Sequence, residues 1–110
     1  MSDEPISEFS VEEQRRDGKV VLTVHGDLDL ASADVVRARL EGLRTAGEPA
    51  LLDLDKLDFM DSSGLRMVLE AAEASDASGW SFAITPGTEQ VKRLFESTRV
   101  TDRLPIVPRR

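Results

Sequence analysis

From Lys19 onward the apolar residues switch between strand-like runs and helical spacing, with only a few residues at each join. "KVVLTVHG" (19–26) is a β-branched run. The segment from Ser32 to Ala46 sets Val36, Leu40 and Leu43 at helical spacing, with Gly47 as its stop. "ALLDLDKLDF" (50–59) reads as one short strand centred on Leu51, Leu52 and Leu54, and its low polarity suggests burial on both faces. After "DSSG" a helix carries Leu65, Val68, Leu69 and Ala72 on one stripe, while Met67, Ala71 and Ala74 form a second strip pointing away from the core, either loosely covered or a contact surface. "WSFAIT" is the next strand and Pro86-Gly87 a turn; "TEQVKRLFEST" is a helix capped by Thr88, with Val91, Leu94 and Phe95 inward. Alternation of this kind predicts an α/β domain on one mixed sheet, and leaves open whether the helices cover one face or both.

Upstream, the pattern from Phe9 to Arg15 alternates weakly before Asp17-Gly18, a hairpin signal, so the first two strands are expected to form a hairpin. Residues 1–7 are polar with one Pro and read as a frayed lead-in; "LPIVP" (104–108) is too short to assign. The 110 residues fit a single domain.

Several function classes are disfavoured. With 14 basic against 21 acidic residues the net charge is −7, and the aromatic set is four Phe and one Trp. Nucleic-acid binding calls for basic clusters and stacking rings, so neither balance supports it. The absence of Cys and the single His exclude thiolate and multi-histidine zinc sites. "MSDEPISEF" lacks the features of a signal peptide and no apolar run nears the ~20 residues of a membrane span, so a soluble cytoplasmic protein without membrane association is expected.

Hydroxyls and an acid crowd one junction, Asp61-Ser62-Ser63-Gly64. A hydrolytic triad built on Ser62 or Ser63 with His25 has little support, because no Gly-x-Ser-x-Gly elbow is present, and the junction lacks the Gly spacing and Lys of a nucleotide cradle. Asp27, Asp29 and Asp61 match no cation loop and read more simply as turn or capping residues, with Asp61 or Ser62 as the N-cap. Neither catalytic residues, a cofactor nor a metal is therefore expected. Capping leaves the redundancy of oxygens unexplained, since one is enough, and Gly64 lets another backbone approach closely. A serine at a helix N-terminus is also placed to carry a phosphate, because free N–H groups and the dipole favour an anion. Helical angles make Ser63 no less exposed than Ser62.

"LLDLDKLDFMDSSGLRMVLEA", preceded by "VHGDLDLASADVV" and followed by "VKRLFESTRVTDRLPIV", resembles the bacterial anti-sigma-factor antagonists, single-domain members of the STAS group. The likeness runs from about Phe9 to Val107, and Gly26-Asp27-Leu28-Asp29 is a second matching element. It implies a mixed sheet of four or five strands flanked by about four helices, and a protein that is not an enzyme. It further implies binding to an anti-sigma factor that is a serine kinase, so that a sigma factor is released. The kinase would phosphorylate Ser62 and so switch the protein off, and a serine phosphatase would restore it. Asp29 would lie near the phosphoacceptor together with Asp27, Asp61, Ser63 and Gly64, and Arg66 and Met67 would belong to the partner surface. STAS domains also work in lipid-transport complexes and stress-signalling particles, so the alternative implied is a non-phosphorylated accessory subunit of such an assembly.

Overall fold

A computed structural model describes residues 9–108, so the expected lead-in at 1–7 lies outside the described residues. The chain forms a hairpin of β1 (Ser10–Arg16) and β2 (Lys19–Leu28), then α1 (Leu30–Thr45), β3 (Ala50–Asp53), β4 (Leu57–Met60), α2 (Ser62–Ser78), β5 (Phe82–Ile84), α3 (Glu89–Ser97) and a 3₁₀ turn, Thr101–Arg103. The mixed sheet of five strands runs β1-β2-β3-β5, with β4 also paired to β2; β1 is antiparallel to β2, and β3, β4 and β5 run parallel to their neighbours. Among the described residues three α-helices and one 3₁₀ turn accompany it, in line with the expected four or so helical segments.

The stretch read as one strand is two. Asp53 Oδ1 accepts from Asp55 N at 2.9 Å, an Asx turn that bends the chain after β3, and Leu54 N is diverted to the Thr85 hydroxyl at 2.8 Å. The segment resumes as β4 against Gly26–Leu28 of β2, with a register shift between Gly26 and Asp27. Burial is also not two-sided, since Ala50 and Leu52 are buried while Leu51 and Asp53 are only partly so. In β2, Val20, Leu22, Val24 and Leu28 belong to the core; Thr23 and His25 are half-exposed on the other face.

Helix α1 begins two residues before the expected Ser32 because Asp29 caps it. Its Ala33, Val36 and Leu40 are buried at helical spacing. Helix α2 corrects the two-strip reading. Leu65, Val68 and Ala72 are buried, but so is Met67, at 1% exposure, whereas Leu69 is half-buried. The cause is that α2 meets both the sheet and α1, so its covered arc is wider than one stripe, and Met67, Ala71 and Ala74 line the seam opposite Leu40 and Arg44. Met67 is therefore core and not partner surface. Thr88 stands at the N-cap of α3 without a side-chain capping bond, and Gln90 two residues on pairs with the Met60 backbone, accepting from its N–H at 3.1 Å and donating to its carbonyl at 3.4 Å. The short "LPIVP" piece runs along β5, where Ile84 N donates to Pro105 O and Val107 N to Ile84 O.

Candidate functional site

Strands β2 and β4 end side by side, with Leu28 opposite Met60, and each passes directly into a helix. Asp29 and Asp61 are the next residues, and each is extended and caps the helix that follows it. Asp61 N donates to Leu28 O at 3.2 Å, which ties the two strand ends together.

Around Asp61 the first turn of α2 is closed. Its Oδ1 accepts from Ser63 N at 2.8 Å and Gly64 N at 3.2 Å. Those N–H groups are thus already engaged by a carboxylate, contrary to the expectation of donors waiting for an anion. Gly64 is buried under this turn, and a β-carbon there would stand 2.7 Å from Leu28 O and 2.9 Å from Met60 Cγ, so the close backbone approach expected of it is present.

Asp29 is held by Ser32 in a reciprocal capping box. Asp29 Oδ1 accepts from Ser32 N at 3.2 Å and from Ser32 Oγ at 3.0 Å, and Asp29 N donates to Ser32 Oγ at 2.9 Å. The buried Ser32 hydroxyl also lies 2.8 Å from Asp27 O. Bonds from the Ser32 N–H, then from its hydroxyl, hold the Asp29 carboxyl below the ordinary carboxylate range.

Two grooves flank the N-terminus of α1. One is lined by Ser62, Ser63 and Arg66 of α2 and by Leu30, Ala33 and Arg37 of α1. The other is lined by Asp27, Asp29 and Ser32 with Phe9 and Val35. Asp29 and Asp27 thus line a different groove from Ser62, although the chain segments are neighbours at the strand ends. Within the first groove Ser62 is exposed and Ser63 half-buried, which separates two hydroxyls that helical angles had left equal. Arg66 is exposed one turn after Ser62, and helical side chains lean toward the N-terminus, so its guanidinium belongs to the same face as that hydroxyl. Arg37 across the groove is paired with Glu70 at 3.0 Å and with Asp34.

Leu30, outside the expected site residues, is 70% exposed at the first position of α1 and lines the Ser62 groove. Its spacing to Ala33 gave no sign of this, since a residue three before Ala33 continues the apolar stripe; it is exposed because α1 begins there. His25 is placed elsewhere, with Nε2 3.3 Å from Glu12 Oε1 of β1. Among the described residues no group of three acidic or histidine side chains converges to hold a metal, and no helix is long and apolar enough to cross a membrane.

The family described as "Mlab, STAS domain" matches residues 11–108. The chain belongs to the STAS family. This STAS domain is 29% identical over 100 residues to the anti-sigma F factor antagonist of Paenibacillus polymyxa, covering 89% of this chain and 86% of that protein. It is 26% identical over 94 residues to the anti-sigma-B factor antagonist of Bacillus subtilis (strain 168), covering 86% of each. Its backbone is similar to SpoIIAA, an anti-sigma factor antagonist and Bacillus cell fate determinant. The unphosphorylated form gives a TM-score of 0.73 at 21% identity, covering 94% of this chain and 89% of that one. The phosphorylated form gives 0.69 at 20% identity, covering 94% and 92%. At these identities the structural likeness bears on the fold, which is the STAS fold of a single small α/β domain.

Proposed function

We propose that this STAS domain is an anti-sigma-factor antagonist: it binds an anti-sigma factor that is also a serine kinase, and phosphorylation of Ser62 turns that binding off. The observation that carries the reading is the placement of an exposed Ser62 at the first position of α2, in a groove bordered by the exposed Leu30 and by Arg66. Leu30 supplies apolar contact for a partner. Ser62 is the group a kinase reaches, and Arg66 is the cation that meets an anionic product. The relatives' names as antagonists of anti-sigma F and anti-sigma B factors support the partner class.

A phosphoserine brings a charge of about −1.5 to −2. At Ser62 it adds to the Asp61 carboxylate, which already occupies the Ser63 and Gly64 N–H groups. The helix end offers it little, so Arg66 and water carry the load in the free protein. In a complex that water is excluded, and a cost of ~3 kcal/mol lowers affinity roughly a hundredfold. A serine phosphatase acting on the phosphorylated form resets the cycle.

The test is incubation with ATP and each serine-kinase anti-sigma factor of the source cell, with the modified residue located by mass spectrometry and affinity measured before and after. Modification at Ser62, its loss in Ser62→Ala, and weakened binding of the phosphorylated form are expected. Equal modification of Ser62→Ala, or equal affinity of both forms, refutes the switch.

The family match is to the STAS domain as such, so a second reading stands beside the first: a STAS accessory subunit of a transporter or stress-signalling assembly that is never phosphorylated. A kinase-like anti-sigma gene beside this one supports the first reading; permease and lipid-binding genes support the second.

A further inference from the structure

Strand β1 ends the sheet, and among the described residues no strand pairs with its outer edge. Its hairpin turn fixes which backbone groups face outward. Asp17 and Gly18 both have positive φ, 54° and 80°, the pattern of a type I′ turn, and Arg16 opposite Lys19 closes it. The closing pair of such a turn exchanges both hydrogen bonds, so by alternation Arg16, Gln14 and Glu12 direct their N–H and C=O groups to β2. Val11, Glu13 and Arg15 direct theirs outward.

The strand reads Ser-Val-Glu-Glu-Gln-Arg-Arg, acidic before Gln14 and basic after it. Two copies joined antiparallel through this edge are related by a two-fold axis perpendicular to the sheet. That axis must set one residue opposite its own copy, because side chains alternate between faces that the axis preserves. An axis at Glu12 or Glu13 opposes Glu with Glu, and one at Arg15 or Arg16 opposes Arg with Arg. An axis at Gln14 instead opposes Glu13 with Arg15 and Glu12 with Arg16, each pair occurring on both sides of the axis.

We infer that β1 pairs antiparallel with β1 of a second copy of this chain, centred on Gln14, so that two sheets become one. The outward N–H and C=O groups of Glu13 and Arg15 supply the ladder. Charged edge strands normally deter pairing. Here the same charges reject foreign or misregistered edges and match their own inverse. Within one chain Glu13 bonds Arg39 and Arg15 bonds Glu48, both at 2.8 Å, while Glu12 lies beside His25 and Arg16 donates to the Gln14 amide. All four charged side chains are exposed, so each is accessible to a cross-strand partner. A contact confined to one strand pair falls below the ~1,200 Å² of a standard interface, so the association is weak and weakened further by salt. It is compatible with the proposed switch, since no β1 residue lines the Ser62 groove.

The chain has no cysteine, so Gln14→Cys carries a single thiol. In the inferred register that thiol faces its own copy in a non-hydrogen-bonded pair with Cα atoms ~4.5 Å apart, within disulfide reach. A Glu13→Cys thiol is displaced by two residues from its copy, roughly 8–9 Å away and out of reach. With oxidised glutathione at low salt, Gln14→Cys should form disulfide dimer at least ~10-fold faster than Glu13→Cys. Adding Glu12→Arg to Gln14→Cys makes two cross-strand pairs repulsive and should slow cross-linking ~10-fold, and adding Arg16→Glu as well should restore it. Circular dichroism checks that each variant is folded. Equal cross-linking at positions 13 and 14, an unaffected rate with Glu12→Arg, or a wild-type protein that sediments only as monomer at millimolar concentration in low salt overturns the inference.

Discussion

The carbonyl oxygen of Leu28, the last residue of β2, lies 2.7 Å from where a β-carbon on Gly64 would sit, so the first turn of α2 rests directly on the end of the sheet. The contact is with backbone, which cannot swing aside as a side chain can.

Gly64→Ala should therefore destabilise the fold by roughly 1–3 kcal/mol, the usual range for overpacking, despite alanine's better helix propensity. A urea midpoint at or above that of wild type would show that the turn retreats without cost. Because Ser62 rides on the same turn, its rate of phosphorylation should fall as well.

Asp61 accepts two backbone N–H bonds in that turn. Asp61→Ala should lose about 1 kcal/mol, and Asp61→Asn distinctly less because asparagine is as good a cap. Chemical denaturation of the two variants side by side decides the matter; equal losses would mean that charge rather than capping geometry is what Asp61 contributes.

The Asp29 carboxyl is lowered by the Ser32 N–H and hydroxyl, which favours its ionised form in the folded state. The unfolded chain then binds the proton more readily, so the stabilisation is full above the ordinary carboxylate pKa of about 4 and is lost as pH falls through the lower folded value. Asp29→Asn, which cannot titrate, should show a shallower fall of thermal midpoint with acidification below about pH 4. An identical slope to wild type refutes the link. If Asp29 also serves the partner surface, Asp29→Ala should reduce kinase binding by more than its loss of folding stability explains.

Met67 and Arg66 are adjacent in sequence and opposite in consequence. Met67 is buried in the seam between α1 and α2, so Met67→Ala should cost about 2–5 kcal/mol. Arg66 is exposed, so Arg66→Ala should stay within ~0.5 kcal/mol of wild type while changing affinity for the partner. A stable Met67→Ala that loses binding would return Met67 to the surface role.

Much of this was legible because the signals are local. Asp17-Gly18 specifies its own hairpin turn, and the spacing of Val36 and Leu40 and of Leu65, Val68 and Ala72 marks two core-facing helices. What escaped depends on neighbours. Met67 is buried because α1 lies alongside, a fact absent from the periodicity of α2 alone. The break after Asp53 comes from a side chain that bonds its own backbone, which apolar runs of Leu51, Leu52 and Leu54 conceal. The separation of Ser62 from Ser63 arises from the packing around α2, not from the sequence of the turn. Asp29 and Asp61 were legible as caps, but not the grooves on either side of α1 that divide Asp29 from Ser62.

The Gln90 amide that occupies the Met60 backbone, and the proline-flanked segment that runs along β5, have a bearing on growth beyond two subunits. Gln90 takes the Met60 donor and acceptor at the end of β4, and on the outer side of the segment along β5 the Ile106 N–H turns back to Leu104 O at 2.9 Å while Pro108 has no N–H to give an incoming strand. Among the described residues, sheet extension that starts at β1 therefore meets a poor template at the far side, where a glutamine, a turned-back N–H and an imino acid stand in place of a free strand edge, and this favours a finite pair over an open-ended fibril.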